Sequence, residues 1–116
     1  ILHKITNDAV LVCDRDHVVA VSGVPKKELL ERRISSSLEE MIEQRKSYVH
    51  APGQEKKFQP VEGVDKWALV QYPIIAAGDV CGAIMFLAGD DNAAPTEAED
   101  KLIQTAASFL GKQMEE

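Results

Sequence analysis

The run Tyr72–Phe86, YPIIAAGDVCGAIMF, places two aliphatic segments on either side of Ala77-Gly78-Asp79, with a second glycine, Gly82, inside the second segment. A phosphate-cradling loop needs G-x-x-x-x-G-K-[S/T] opening a helix. Here Gly78 and Gly82 stand too close together, no Lys-Ser/Thr pair follows, and the residues after Gly82 are strand-like. The pattern instead predicts a β-hairpin, with Ala77-Gly78-Asp79 supplying the positive-φ turn. Gly82 then lies within a strand, where a missing side chain permits a bulge or the close approach of a neighbour. The second segment, Val80 to Leu87, is too continuously apolar to have a wet face, and is expected at the centre of the sheet.

The rest of the chain supplies partners for that hairpin. The runs AVLVCD and HVVAVS, on either side of Arg15, read as a second hairpin turning at Asp14-Arg15-Asp16. GVPKKELLERRI predicts a short helix with Pro25 at its first position and Leu29 and Leu30 facing inward. SSSLEEMIEQRKSYV predicts a longer helix, capped by Ser36 or Ser37, with Ser37 and Glu40 as a capping box and Leu38, Met41, Ile42, Arg45 and Val49 on one face. Residues 50–66, rich in polar residues, Gly and Pro, read as a loop with one short edge strand near Lys57–Val61. WALVQYPIIAA and VCGAIMFLAG are the strands of the central hairpin. The last helix starts after a Thr96 cap, with Glu99 completing a capping box, and carries the stripe Ala98, Leu102, Ile103, Ala106, Ala107, Leu110 and Met114. Residues 1–6, ILHKIT, read as the end of a further helix. Sequence-adjacent antiparallel strands with helices grouped around them make an α+β fold rather than alternating βαβ units.

At 116 residues the chain suits one domain. It begins at Ile1 rather than Met, and is read as a segment of a longer protein. Aromatic residues make up only 5%, so base-stacking platforms are scarce, and a net charge of −6 repels a phosphate backbone. No apolar run is long enough to span a bilayer, and no secretory leader is visible. Two cysteines make no disulfide framework, and a reducing cytoplasm is the simplest compartment.

Candidate chemistry is thin. Cys13 and Cys81 sit in aliphatic runs and read as core thiols. His3, His17 and His50 lack zinc-site spacing. Asp14 and Asp16 read as turn formers. The pairs Lys26-Lys27, Arg32-Arg33 and Lys56-Lys57 read as solvated surface, with anion capture after Ser22-Gly23 as the functional alternative. No catalytic residue, metal ligand or cofactor is assigned.

The hairpin run resembles the GAF-domain signature. AVLVCDRDHVVAVSG, KKELLERRIS, MIEQR and AASFLGKQME together resemble the C-terminal domain of the stage V sporulation protein T family of bacterial transcription regulators. The resemblance covers nearly the whole chain and is least clear from Gln54 to Ala68. It implies a GAF-like, PAS-related fold over residues 1–116, with a central antiparallel sheet of five to six strands flanked by helices. It also implies a DNA-binding domain outside this chain, an unidentified small-molecule effector, and oligomers assembled by the flanking helices. From that topology Ser22, Lys26, Trp67 and Gln71 are the candidate ligand-binding residues. Ile1, Leu2, Ile5, Leu102, Ala106, Leu110 and Met114 are the candidate oligomer contacts, making a dimer. The alternatives are a ligand-free dimerisation scaffold and a GAF-type methionine sulfoxide reductase using the two cysteines.

Overall fold

The structure is a computed structural model, which describes residues 9–24, 26–51, 57–88 and 95–115. The expected N-terminal helix with Ile1, Leu2 and Ile5, the placement of Pro25, and most of the loops at 52–56 and 89–94 lie outside those residues. Five strands form one antiparallel sheet: β1 Ala9–Cys13, β2 Val18–Ser22, β3 Tyr48–Val49, β4 Ala68–Ala76 and β5 Asp79–Leu87. Their order is β2-β1-β5-β4-β3, so the second strand of the glycine hairpin is the middle one. Among the described residues, three helices, α1 Lys26–Leu29, α2 Ser36–Gln44 and α3 Glu97–Met114, join the sheet in an α+β architecture.

The central hairpin closes as its residues demand. Ala76 pairs with Asp79, leaving Ala77 and Gly78 as a two-residue loop with φ of 52° and 84°. Positive φ at both positions is the turn whose twist matches a hairpin's strands. The non-glycine residue there is strained, and the Ala77 N–H is held by the Glu115 carboxylate at the end of α3, 3.0 Å away. Further along, Ile74 pairs with Gly82 and Ile75 with Val80, which leaves Cys81 as the bulged residue. Gly82 passes so close to β1 that a Cβ there would overlap the Cys13 carbonyl oxygen.

Side-chain alternation divides the core in two. Leu11 and Cys13 of β1 and Ala83, Met85 and Leu87 of β5 face Leu29, Leu38 and Ile42 of the short helices, together with Phe58 and Val61. Ile74 of β4 and Ile84 and Phe86 of β5 face Ile103 and Ala107 of α3. Gly111 completes the α3 seam, and a Cβ at that position would strike the Ile75 carbonyl oxygen of β4.

Four local expectations are corrected. The N-cap of α2 is Ser35, whose Oγ accepts from the Leu38 N–H at 3.2 Å; Ser37 and Glu40 lie inside the helix and form no capping box. The helix also ends early. Arg45 turns left-handed at φ 58°, and the Arg45 and Lys46 N–H groups bond the Ile42 and Met41 carbonyls. That closure is a Schellman motif. It releases Tyr48 and Val49 to pair with Gln71 and Val70, so Val49 belongs to an edge strand and not to the helix face. The edge of β4 supplies ladder partners to this backbone in place of helical ones, and the His50 N–H follows on, bonding the Leu69 carbonyl at 2.9 Å. Finally, 57–61 is irregular: Val61 forms an isolated bridge with Ile34, and the Pro60 carbonyl accepts from Ser35. Of the two leucines expected to point inward, Leu29 is buried and Leu30 is exposed.

The Gly111 contact makes a signed prediction. Alanine would improve helix propensity by about 1 kcal/mol, whereas overpacking costs typically 1–3 kcal/mol, and here the obstacle is backbone that cannot rotate away. Gly111→Ala is therefore expected to lower the urea midpoint at unchanged slope, for a net loss of up to about 2 kcal/mol of stability. A raised midpoint would show that α3 does not approach β4 this closely.

Candidate functional site

The face of the sheet covered by α3 is packed along Ile103, Ala107 and Gly111. The opposite face is covered less completely, because α2 has only 9 residues and α1 only 4. Between the start of α2 and residues 57–63 lies an open pocket of about 530 Å³. That volume falls within the usual range for small-molecule sites, about 300–1,000 Å³. Its apolar wall is made by Met41, Tyr48, Phe58 and Val61, and its rim by Ser35, Ser37, Lys57 and Glu62. The Tyr48 and Phe58 rings meet at 5.1 Å between centroids.

Two buried polar side chains touch this wall. Gln71, 0% exposed, pairs with Tyr48 across the β3–β4 ladder. Its Nε2 donates to the Lys46 carbonyl at 3.2 Å and lies 3.7 Å from Met41 Sδ. His50, 1% exposed, has Nδ1 3.2 Å from the Tyr48 hydroxyl and its ring 4.5 Å from the Trp67 ring. Among the described residues, neither His50 Nε2 nor Gln71 Oε1 has a hydrogen-bond partner. Each orphaned group in a dry site costs about 1–3 kcal/mol.

The four candidate ligand residues separate. Gln71 faces the pocket side, beside its ladder partner Met85. Trp67 packs against His50 with the two rings tilted at 55° and lies under the Lys57 ammonium, 5.1 Å from the ring centre, so it supports the rim from behind. Ser22 pairs with Val10 and so faces the α3 side. It is also three strand positions from β4, roughly 14 Å at ordinary strand spacing. Lys26 is exposed on α1, next to that far edge. Residues 35–63 supply the pocket, and none of them is among the residues expected from sequence. A usable signal is present there: His50 and Tyr48 stand at alternate positions immediately after α2, a polar pair leading into a strand.

The α3 candidates also separate. Leu102 is 59% exposed and Met114 56%, while Ala106 and Leu110 are partly buried against the sheet-facing cluster. Phe109, 60% exposed, shares the outer face with Leu102 one heptad away. On the inner side, Asp100 accepts a 2.7 Å hydrogen bond from the Tyr72 hydroxyl. That bond raises the Tyr72 pKa, because ionising the phenol would set two anions together.

The remaining titratable groups behave as turn and core residues. Asp14 Oδ1 accepts from the Asp16 and His17 N–H groups, both at 2.7 Å. Slight burial pushes its carboxyl up, but these bonds and the neighbouring His17 and Arg15 charges outweigh it and hold the pKa below the usual value. Lys26, Lys27, Arg32 and Arg33 are exposed. Cys13 is buried, and its thiol is pushed up to about 12 by burial, against one lowering contact from Ala83 and with a further push from Asp14. Cys81 is half-buried, with Sγ 3.7 Å from the Asp79 carbonyl. Among the described residues no helix is long and apolar enough to cross a membrane.

Residues 1–115 match the family described as "Stage V sporulation protein T C-terminal, transcription factor". The chain is also 39% identical over 118 residues to Stage V sporulation protein T of Bacillus subtilis (strain 168). That match takes in 99% of this chain and 64% of the relative, so the chain spans a little under two thirds of the relative's length.

The Cys13 shift predicts an alkaline signature. The folded state keeps the thiol proton up to about pH 12, while the unfolded chain releases it from about pH 9. Between those values the folded form binds more protons, so this group's contribution to stability falls as pH rises, by about 1.4 kcal/mol per pH unit. Urea midpoints measured between pH 8.5 and 10.5 should fall more steeply for the parent chain than for Cys13→Ala. In the native state, a thiol reagent at pH 7.5 should label Cys81 well ahead of Cys13. Equal slopes, or rapid labelling of Cys13, would contradict this account.

Proposed function

This chain belongs to the stage V sporulation protein T C-terminal family, and on that premise we propose that it is the GAF-like regulatory domain of a sporulation transcription factor. In this role it binds a small effector and sets the arrangement of DNA-binding domains carried elsewhere in a longer protein. The observation that carries the reading is the pocket between α2 and 57–63, open to solvent, with the buried polar side chains of Gln71 and His50 touching Met41 and Tyr48 of its wall. The net charge of −6 argues against these residues gripping DNA themselves. The work is non-catalytic, and the place of action is the cytoplasm.

A ligand shifts an equilibrium only through differential affinity for two arrangements. The sheet offers a short route for that difference. Gln71 touches the pocket wall and Tyr72, the next residue, holds α3 through Asp100. Neighbouring strand residues point to opposite faces, so one residue step carries a change from the pocket layer to the α3 layer. The outer face of α3, with Leu102 and Phe109 and the flanking Ala106, Leu110 and Met114, packs against a second subunit in this reading. Ile1, Leu2 and Ile5, which lie outside the described residues, are further proposed contacts in the same reading. Two such helices give a dimer with twofold symmetry.

Two measurements test the role. Thermal-shift screening against amino acids, nucleotides and neutral metabolites should yield a stabilising ligand; at 100 times Kd, mass action supplies about 2.7 kcal/mol. Filling the pocket with Met41→Trp should abolish that stabilisation, and a screen that finds no ligand at all would leave only a scaffold. Separately, Leu102→Glu with Phe109→Glu should convert dimer to monomer in sedimentation equilibrium while the circular dichroism spectrum stays folded. A dimer undisturbed by both charges would place the interface elsewhere.

A further inference from the structure

We infer that the pocket takes a planar aromatic ring, and that the rings of Tyr48 and Phe58, with the Met41 thioether, select it over a saturated group of the same size. The inference rests on the sensing role proposed above and adds the chemical class of what is sensed.

Rings are scarce in this chain, which has one Trp, two Tyr and three Phe. Among the described residues, Phe58 and Tyr48 are the only aromatic side chains in the hydrophobic cluster that the sheet forms with α1 and α2. The rest of that cluster is Leu, Ile, Val, Ala, Met and Cys. Both rings line the pocket. Aliphatic side chains of similar volume would fill the same places if packing were the only demand, as they do elsewhere in the layer.

The wall is held in place by the protein itself. The Tyr48 and Phe58 centroids lie 5.1 Å apart with their planes tilted at 57°. That falls in the range of about 4.5–7 Å over which rings attract one another beyond the effect of buried area. The Tyr48 hydroxyl is tied to His50 Nδ1 at 3.2 Å, and the Phe58 carbonyl accepts from the Ala68 N–H at 2.8 Å. Tyr48 is only half-buried, so part of its ring is free to meet a third. Met41 adds a polarizable sulfur, which favours contact with an aromatic ring. A saturated group entering the pocket gains by leaving water but lacks the charge pattern of a π-system, and an aromatic ring gains from both. The rim does not sort ligands by charge, because Lys57 and Glu62 carry opposite signs and the Lys57 ammonium lies over Trp67.

Benzyl alcohol and cyclohexylmethanol test this. They share a six-membered ring and a hydroxymethyl group, and the saturated one has the larger apolar surface, so burial of area alone would favour it. Each is titrated into the methyl-¹³C-labelled chain at neutral pH. Benzyl alcohol is expected to shift the Met41 and Val61 methyl resonances and to bind about two- to tenfold more tightly than its saturated analogue. Tyr48→Leu and Phe58→Leu keep the wall apolar and should each abolish that preference. Phe58 is buried, so the Tyr48 variant tests the wall without disturbing the core, and circular dichroism verifies that both are folded. Equal or tighter binding of cyclohexylmethanol, a preference that survives in either folded variant, or no methyl shift with benzyl alcohol would overturn the inference and leave the sensing role standing. Failure of the broad thermal-shift screen would instead remove the sensing role itself.

Discussion

The turn at Ala77 and Gly78 sets the register of β4 on β5, and register decides which side chains meet which helix layer. A one-residue slip would send every apolar side chain of these strands to the wrong face. Both turn residues carry positive φ, so the hairpin can close in one way only. Glycine meets that demand without strain. Ala77 does not, and the Glu115 carboxylate at the end of α3 steadies it. The tip of the hairpin and the end of the last helix therefore stabilise one another, although 38 residues separate them.

Two glycines then bring the backbones together. Gly82 lets β1 run against β5, and Gly111 lets α3 lie on β4. Each removes a side chain at a point where the neighbouring atoms belong to main chain, so no rotamer change could substitute for it. The result is unequal coverage. An 18-residue helix seals one face of the sheet, while two short helices and an irregular segment cover the other and leave the pocket.

Signals written within a few residues were legible in the sequence. The hairpin turn, the place of β5 at the centre, the Asp14 turn and the Thr96–Glu99 capping box all depend on local chemistry, and the capping-box bonds form at 2.8 and 3.0 Å. What escaped depends on partners distant in the chain. Residues 45–49 continue an acceptable helical pattern, and only the free edge of β4, more than 20 residues later, draws Tyr48 and Val49 into a strand. Ser35 caps α2 where its backbone is already tied to Pro60, a contact invisible from spacing alone. The same blindness explains the split among the four candidate ligand residues. Ser22 and Gln71 both sit on strands, but parity of position puts them on opposite faces, and strand order puts them near opposite edges.

That parity also gives the proposed regulation a physical basis. A sheet is a poor conductor of sliding motion, because each strand is tied to two neighbours by its ladder. A change of tilt at one strand needs no sliding. β4 carries only the two-residue β3 on its outer side, so its restraint there is weak. On its two faces it presents Gln71 to α2 and Tyr72 to Asp100 of α3. In the proposed regulation, a ligand lying against Met41 would bear on Gln71, and the planar peptide between 71 and 72 would pass a change of orientation to the next residue. The α3 helix meets β4 through the side chains of Ile103 and Ala107 and, at Gly111, directly against the Ile75 carbonyl, so in the proposed regulation a rotation of the strand would bear on the helix. The exposed Leu102–Phe109 stripe lies on that same helix. In the proposed reading, pocket occupancy and subunit geometry would meet on one strand, β4.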